Sequence, residues 1–455
     1  MAKAFNKEVF ESMPVPKAVT EFVVPAMLST IITIIYSLAD TFFVGLIGDP
    51  NQIAAMSVAF PVYQFLNAFG SLFGLGTNSS MARSLGEKKF ERVSRASALG
   101  LWAGVVFIAV MCVVLASVMR PLLHAVGATS NTYDFARAYL KWTFVIGGIP
   151  TVASIVLCNQ LRAEGQAKKA SFGLMLGGIL NCLFDPLFIF VFHNAVVGAA
   201  QATALCNTIS LCYFLCVCAK RKNDSYICLN PFKYRVDGAL LREIVLVGLP
   251  SCCLTVLGAT GCFVQNHLLS RYSDEAVAAF GIVTKVAFIG INCTHGVAQG
   301  VLPLIGYNFG AKKFERVRAV NRCAIRILLC IAVVLLALCE LFPRVFIRVF
   351  INDAATIALG APMLRLYMLC MPFMSIILLT STLCQAVGKW KHALAMLAFR
   401  QLVFNIPFMI LLDRFVVPMY GVPLGQPCCD VLCLFIAIGV YRSVFVRAMQ
   451  KQQTE

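Results

Sequence analysis

The sequence predicts an all-α membrane protein of twelve transmembrane helices, arranged as two six-helix lobes related by an internal repeat. Three observations carry this. Hydrophobic residues fill 60% of the 455 positions and charged residues only 13%, a balance foreign to a water-soluble globular chain. The apolar residues gather in runs long enough to cross about 30 Å of hydrocarbon. These runs lack the alternation of barrel strands, so helices, which satisfy their own backbone, are the expected element. Finally, the hexapeptide Lys88-Lys89-Phe90-Glu91-Arg92-Val93 recurs letter for letter as Lys312-Lys313-Phe314-Glu315-Arg316-Val317, each time two residues after a glycine, Gly86 and Gly310. The same offset of 224 positions sets Ala54-Ala55 on Ala278-Ala279 and Gly76 on Gly300, which marks a duplicated unit.

In chain order, the first lobe is expected over 1–222, with spans near 18–47, 52–78, 94–119, 136–160, 169–192 and 197–219. A cytoplasmic linker over 223–240 follows. The second lobe occupies 241–455, with spans near 241–269, 277–303, 320–342, 357–384, 393–413 and 420–446. Pro25 lies inside the first span; it removes a backbone hydrogen bond and is expected to kink that helix. The stretch from Met1 to Lys17 holds charged residues and prolines in place of a short apolar core with a cleavage site, so no cleavable leader is expected. Most of the 38 lysines and arginines fall in the even-numbered connections and near the two ends. The positive-inside rule then puts both termini, and both copies of the hexapeptide, in the cytoplasm of a multi-pass plasma-membrane protein. There the hexapeptide reads as a basic retention signal at helix ends. The net charge of +17 therefore sets orientation and does not indicate a nucleic-acid partner.

Most of the twenty cysteines fall within spans, where a thiol behaves as a small apolar residue. Cys216, Cys218 and Cys228 are too sparse and too poor in histidine for a zinc site. No phosphate-cradling glycine loop or nucleophile-base pair is present, so neither an ATP-driven pump nor an enzyme is expected, and no cofactor is implied.

Ionisable residues inside spans are costly and usually functional. Asp40 lies in the first span. Asp185 lies in the fifth, with Asn181 one turn earlier on the same face and Pro186 directly after. Counting back to the nearest turn puts Asp40, Asp185 and Thr203 of the sixth span at a common depth of roughly 8–12 Å below the outer helix ends. Two carboxylates, an amide carbonyl and a hydroxyl at one level form a hard-oxygen set suited to Na⁺, and equally to a proton. No fifth side-chain oxygen is identifiable, which favours the proton. Across the repeat, Asp40 falls on Val264 beside Gln265, Asp185 on Met409, and Asn181 alone keeps its type, in Asn405. Lys285 is the one basic residue expected in the membrane interior, and it should face the cavity or an acid. His295 lies about three turns further on, and Gln265 and Tyr36 complete the candidate cavity wall. Asp430 and Glu340, near outer ends, and Asp413, closing the eleventh span, are expected to be structural.

These residues resemble a known family. The run Tyr36-Ser37-Leu38-Ala39-Asp40-Thr41-Phe42-Phe43-Val44-Gly45, the segment Leu161-Arg162-Ala163-Glu164-Gly165, the run Asn181 to Phe188 and Gly306-Tyr307-Asn308-Phe309-Gly310 are similar to multidrug and toxic compound extrusion (MATE) transporters. The likeness covers nearly the whole chain and is closest to the DinF-like or MepA-like branch. It implies that Asp40, Asn181, Asp185 and Thr203 hold the coupling Na⁺ or H⁺, and that no coupling site lies in the second lobe. It further implies antiport of small, cationic, amphipathic organic compounds by a monomer whose only other partner is membrane lipid. Two other readings stay open: a flippase for lipid-linked saccharides, which would need free basic residues in its cavity, and a non-transporting membrane receptor or scaffold.

Overall fold

The structure, a computed structural model, describes residues 7–446, and no strand occurs among them. Ten helices are long and apolar enough to cross a membrane, and two further pairs, each bent by 45°, qualify as one span apiece. Counting each bent pair once gives twelve. They are α1 (Val15–Gly45), α2 (Pro50–Gly86), α3 (Phe90–Ala125), α4 (Tyr133–Ile146 with Gly148–Ala163), α5 (Ala167–Val191) and α6 (Ala195–Lys220) in the first half. The second half holds α7 (Gly238–Leu269), α8 (Asp274–Gly310), α9 (Phe314–Leu341), α10 (Ala354–Met368 with Met371–Ala386), α11 (Trp390–Phe415) and α12 (Gly421–Phe445). A short helix, Lys7–Glu11, precedes α1. The two bent spans, α4 and α10, are repeat mates. Pro25 does not break α1, which runs continuously from Val15 to Gly45. Past the proline, the Ser29 and Thr30 hydroxyls both donate to the Ala26 carbonyl (2.8 and 2.9 Å), so the expected kink is no interruption.

The repeat is structural as well as textual. Lys88 and Lys312 both adopt left-handed backbone, with φ of 59° and 57°. The next residues, Lys89 and Lys313, both open a helix at φ −88° and donate their amides to Ser84 and Asn308 at 2.9 and 2.8 Å. The lobes meet at this end of the molecule. A Cβ on Gly86 would run into the Tyr307 carbonyl and one on Gly310 into the Arg83 carbonyl, so α2 and α8 cross here backbone to backbone.

The hexapeptide arginines do more than mark a membrane side. Arg92 pairs at 2.6 Å with Glu243 at the start of α7, and its repeat mate Arg316 donates to the carbonyls of Met13 (2.7 Å) and Val9 (3.3 Å) ahead of α1. Each copy thus grips the leading end of the opposite lobe. Arg83 adds a second bond to Glu243 and reaches the Ala386 carbonyl at the end of α10. Its mate Tyr307 donates to Glu11 at 2.6 Å. Arg162 also bridges the lobes, to Gln299 at 3.0 Å. Glu164 of the same segment is buried and accepts from Ser225 Oγ (2.7 Å) and the Tyr226 amide (2.5 Å), tying the polar stretch after α6 back onto α4.

Candidate cation site in the first lobe

In an alternating bundle α1 and α5 run in the same direction, and Gly178 sets how closely they pack. A Cβ there would lie 2.8 Å from Ile32 Cγ2 and 3.3 Å from Tyr36 Cδ1. With Tyr36 level with Gly178, one further turn brings Asp40 level with the Asn181–Asp185 stretch of α5. Asp40 and Asp185 then lie within electrostatic reach of each other. Asn181 Nδ2 donates to Thr203 Oγ1 of α6 at 3.2 Å, so three helices close on one point.

All four side chains are buried: Asp185 is 0% exposed, Asn181 2%, Asp40 and Thr203 8%. Four of their oxygens nonetheless lack donors. Both carboxylate oxygens of Asp185, Oδ1 of Asp40 and Oδ1 of Asn181 have no hydrogen-bond partner. A buried carboxylate without a partner costs several kcal/mol, so these groups need either protons or a cation, and the oxygen set fits both. The Tyr36, Tyr63 and Tyr139 side chains come within electrostatic reach of Asp40. Tyr63 and Tyr139, on α2 and α4, have no sequence signal that ties them to Asp40. Tyr36 lies one turn before Asp40 on α1.

The second lobe corrects several expectations. Arg400, passed over in the expectation that Lys285 is the one interior base, lies inside α11 and is 8% exposed. It makes a two-pronged ion pair with Asp430, Nε to Oδ1 at 2.6 Å and Nη2 to Oδ2 at 3.0 Å, while Gln426 donates to Asp430 at 3.2 Å. Asp430 is 0% exposed in mid-helix, not near an outer end, and Lys285 is not the only base in the membrane interior. Lys285 is exposed on α8 and makes no ion pair among the described residues, so the expected acid is not there. His295 is half-buried within electrostatic reach of Arg400. Gln265 is buried and faces α11, because the Cβ position of Gly261, one turn earlier, is 3.9 Å from Asn405 Nδ2. Glu340 pairs with Arg365 at 3.6 Å, and Asp413 accepts from Tyr272 (3.0 Å) and the Met419 amide (2.9 Å), structural roles as expected.

Two helical lobes joined by a duplicated sequence, with unpaired acids buried in one of them, define a multi-pass membrane protein built like a two-lobe transporter. The MatE family model matches this chain twice, over residues 25–187 and 250–411, and the chain belongs to that family, the MATE transporters its motifs resemble. Among curated relatives, the "Multidrug export protein MepA" of Staphylococcus saprophyticus subsp. saprophyticus is 29% identical over 406 residues, covering 89% of this chain and 88% of its own. The protein of the same description from Staphylococcus haemolyticus is 27% identical over 441 residues, covering 96% and 95%. Both are transport proteins, not enzymes. A solved structure described as "Outward-facing conformation of a multidrug resistance MATE family transporter of the MOP superfamily" superposes with a TM-score of 0.93 at 23% identity, covering 99% of this chain and 100% of that one. Another, "Crystal structure of MATE in the bent conformation", gives 0.91 at 22% identity with full coverage of both.

Proposed function

We propose that this chain is a secondary multidrug exporter of the plasma membrane that exchanges Na⁺ or H⁺, bound at Asp40, Asn181, Asp185 and Thr203, for small cationic and amphipathic organic compounds. One observation carries the reading: four buried oxygens on two neighbouring helices, α1 and α5, have no hydrogen-bond donor. The multidrug-export descriptions of the relatives support the substrate class. Loop charge puts both hexapeptides in the cytoplasm, and the lobes are latched together at that end, so the state described here is closed to the cytoplasm. The termini fall at or beyond the limits of the described residues. Each inward charge is worth about 2.3 kcal/mol per 100 mV, and a tenfold ion gradient adds about 1.4 kcal/mol. Together these sustain a several-hundredfold gradient of a compound whose exchange moves one net charge inward; for a monovalent cation exchanged one for one the charges cancel and the ion gradient alone sustains about tenfold. Coupling requires that cation and drug prefer opposite states of the lobes. A saccharide flippase is disfavoured because Arg400 is spent on Asp430, which leaves Lys285 as a lone free base in the membrane interior among the described residues, where a pyrophosphate would need several.

The test is drug efflux from proteoliposomes carrying a sodium gradient alone, a pH gradient alone, and both. Asp40→Asn and Asp185→Asn should each abolish gradient-driven efflux while leaving membrane insertion intact. Thr203→Ala should only weaken cation affinity, about fivefold for one neutral ligand worth about 1 kcal/mol. Efflux that ignores both gradients would sink the antiport reading. Na⁺ and H⁺ compete for one oxygen set, so Na⁺ affinity should rise with pH.

A further inference from the structure

The repeat lets each member of the first-lobe cluster be followed into the second. Asn405, the mate of Asn181, is 1% exposed and its Oδ1 also lacks a donor. Gln265 stands one position beyond the mate of Asp40, and Met409 replaces Asp185. Met409 is fully buried, and α12 presses so close that a Cβ on Gly425 would lie 2.6 Å from Met409 Cγ, leaving no room for a hydrated carboxylate. The acid of this lobe comes instead from α12. Five residues before Asn405, about 7.5 Å along the helix, the Arg400 guanidinium lies against Asp430 with both prongs engaged and Gln426 donating to the same carboxylate. The corresponding helices α1, α5 and α6 build the first-lobe cluster.

We infer that the second lobe holds a cation site filled by the chain's own guanidinium: Arg400 is the resident, tethered cation of Asp430. A tethered ion cannot exchange with solution, so Asp430 is withheld from Na⁺ and H⁺, and exchangeable binding is confined to the first lobe. That last consequence rests on the proposed function; the occupancy of the site does not. Cutting Arg400 back to alanine leaves a space of guanidinium shape beside a buried carboxylate whose charge is unpaired and whose remaining donor is Gln426, and such a carboxylate binds a free guanidinium-type cation through the same two-pronged geometry.

The probe is methylguanidinium at low millimolar concentration, read by thermal unfolding of the purified full chain and by efflux from proteoliposomes. Arg400→Ala should unfold at lower temperature than wild type. Methylguanidinium should recover most of that loss and raise efflux severalfold, with no effect on wild type or on Arg400→Ala/Asp430→Asn. Arg400→Ala that matches wild type without the additive overturns the inference. So does an additive effect of equal size in the double variant. If Arg400→Ala does not accumulate, Arg400→Lys and Arg400→Gln take its place: the lysine variant, a cation without the fork, must unfold between wild type and the glutamine variant, and equal behaviour of the two overturns the inference. The unfolding readout does not depend on coupling, so it separates failure here from failure of the antiport reading, which Asp40→Asn tests.

Discussion

Replacing Arg83 with alanine should unlatch the two lobes. Its side chain is 11% exposed and, from α2, it bonds the Ser79 hydroxyl, Glu243 on α7 and the carbonyls of Ala386 (3.0 Å) and Gln385 (3.4 Å) on α10. A hydrogen bond to a charged group contributes about 1.5–3 kcal/mol. Glu243 is 28% exposed and keeps Arg92 at 2.6 Å, so its share of the loss is reduced by screening and by the remaining partner. The carbonyls at the end of α10 lose their charged donor and keep the Ser79 hydroxyl, at 2.5 Å from Gln385 and 3.2 Å from Ala386. A net cost of about 2 kcal/mol to the latched state follows, which shifts the ratio of latched to open molecules by about 30-fold at 1.4 kcal/mol per decade. Hydrogen exchange reads this directly, because amides that exchange only when the lobes part should speed up by that factor. The affected amides should be those of residues 79–89, 240–250 and 383–389. Arg83→Lys, which has no fork to span carboxylate and carbonyls, should fall between the two. Unchanged exchange in these segments in Arg83→Ala, with normal efflux, would refute the latch.

Gly178→Ala should push α1 away from α5, since the new methyl meets Ile32 at 2.8 Å; we expect about 1–3 kcal/mol of destabilisation and a loss of cation affinity larger than that of a stability-matched variant elsewhere, measured by cation-dependent thermal shift. At Glu11, burial acts to raise the carboxyl pKa, but the Tyr307 hydroxyl and the Lys313 and Lys7 ammonium groups outweigh it and hold the group below the usual range. A carboxyl held low stabilises the docked leading helix above the ordinary carboxylate range and loses that contribution as pH falls through its lowered value. A spin label at the exposed Glu8→Cys, in a background free of native thiols, should become mobile on acidification, and Glu11→Gln should remove the pH dependence. Single cysteines at Lys88, Lys312 or Lys222 in the same background should react with impermeant reagents only from the cytoplasm; labelling from outside intact cells would reverse the assigned direction of transport.

The class of this protein, its twelve spans and its duplication were legible in the residues alone, because lipid forces each spanning segment to satisfy its backbone locally and so leaves a local, countable signal. Asp40 and Asp185 were legible for the same reason: a carboxylate in an apolar run stands out whatever surrounds it. Their convergence with Asn181 could be argued from depth, but Gly178, Tyr63 and Tyr139 carry no such mark, since they matter only through the helix they touch. Arg400 was in view inside the 393–413 run and was still passed over in favour of Lys285, because nothing local announces a partner thirty residues away on another helix. The hexapeptide is the clearest case. Repetition identified it, and charge suggested which side of the membrane it occupies, yet the grip of Arg92 and Arg316 on the opposite lobe depends on how two lobes cross. Helix existence in a membrane is decided by solvent and by neighbours in the chain. Which polar groups meet is decided by packing between helices, where there is no water to satisfy a group left alone, and only the tertiary structure settles those partners.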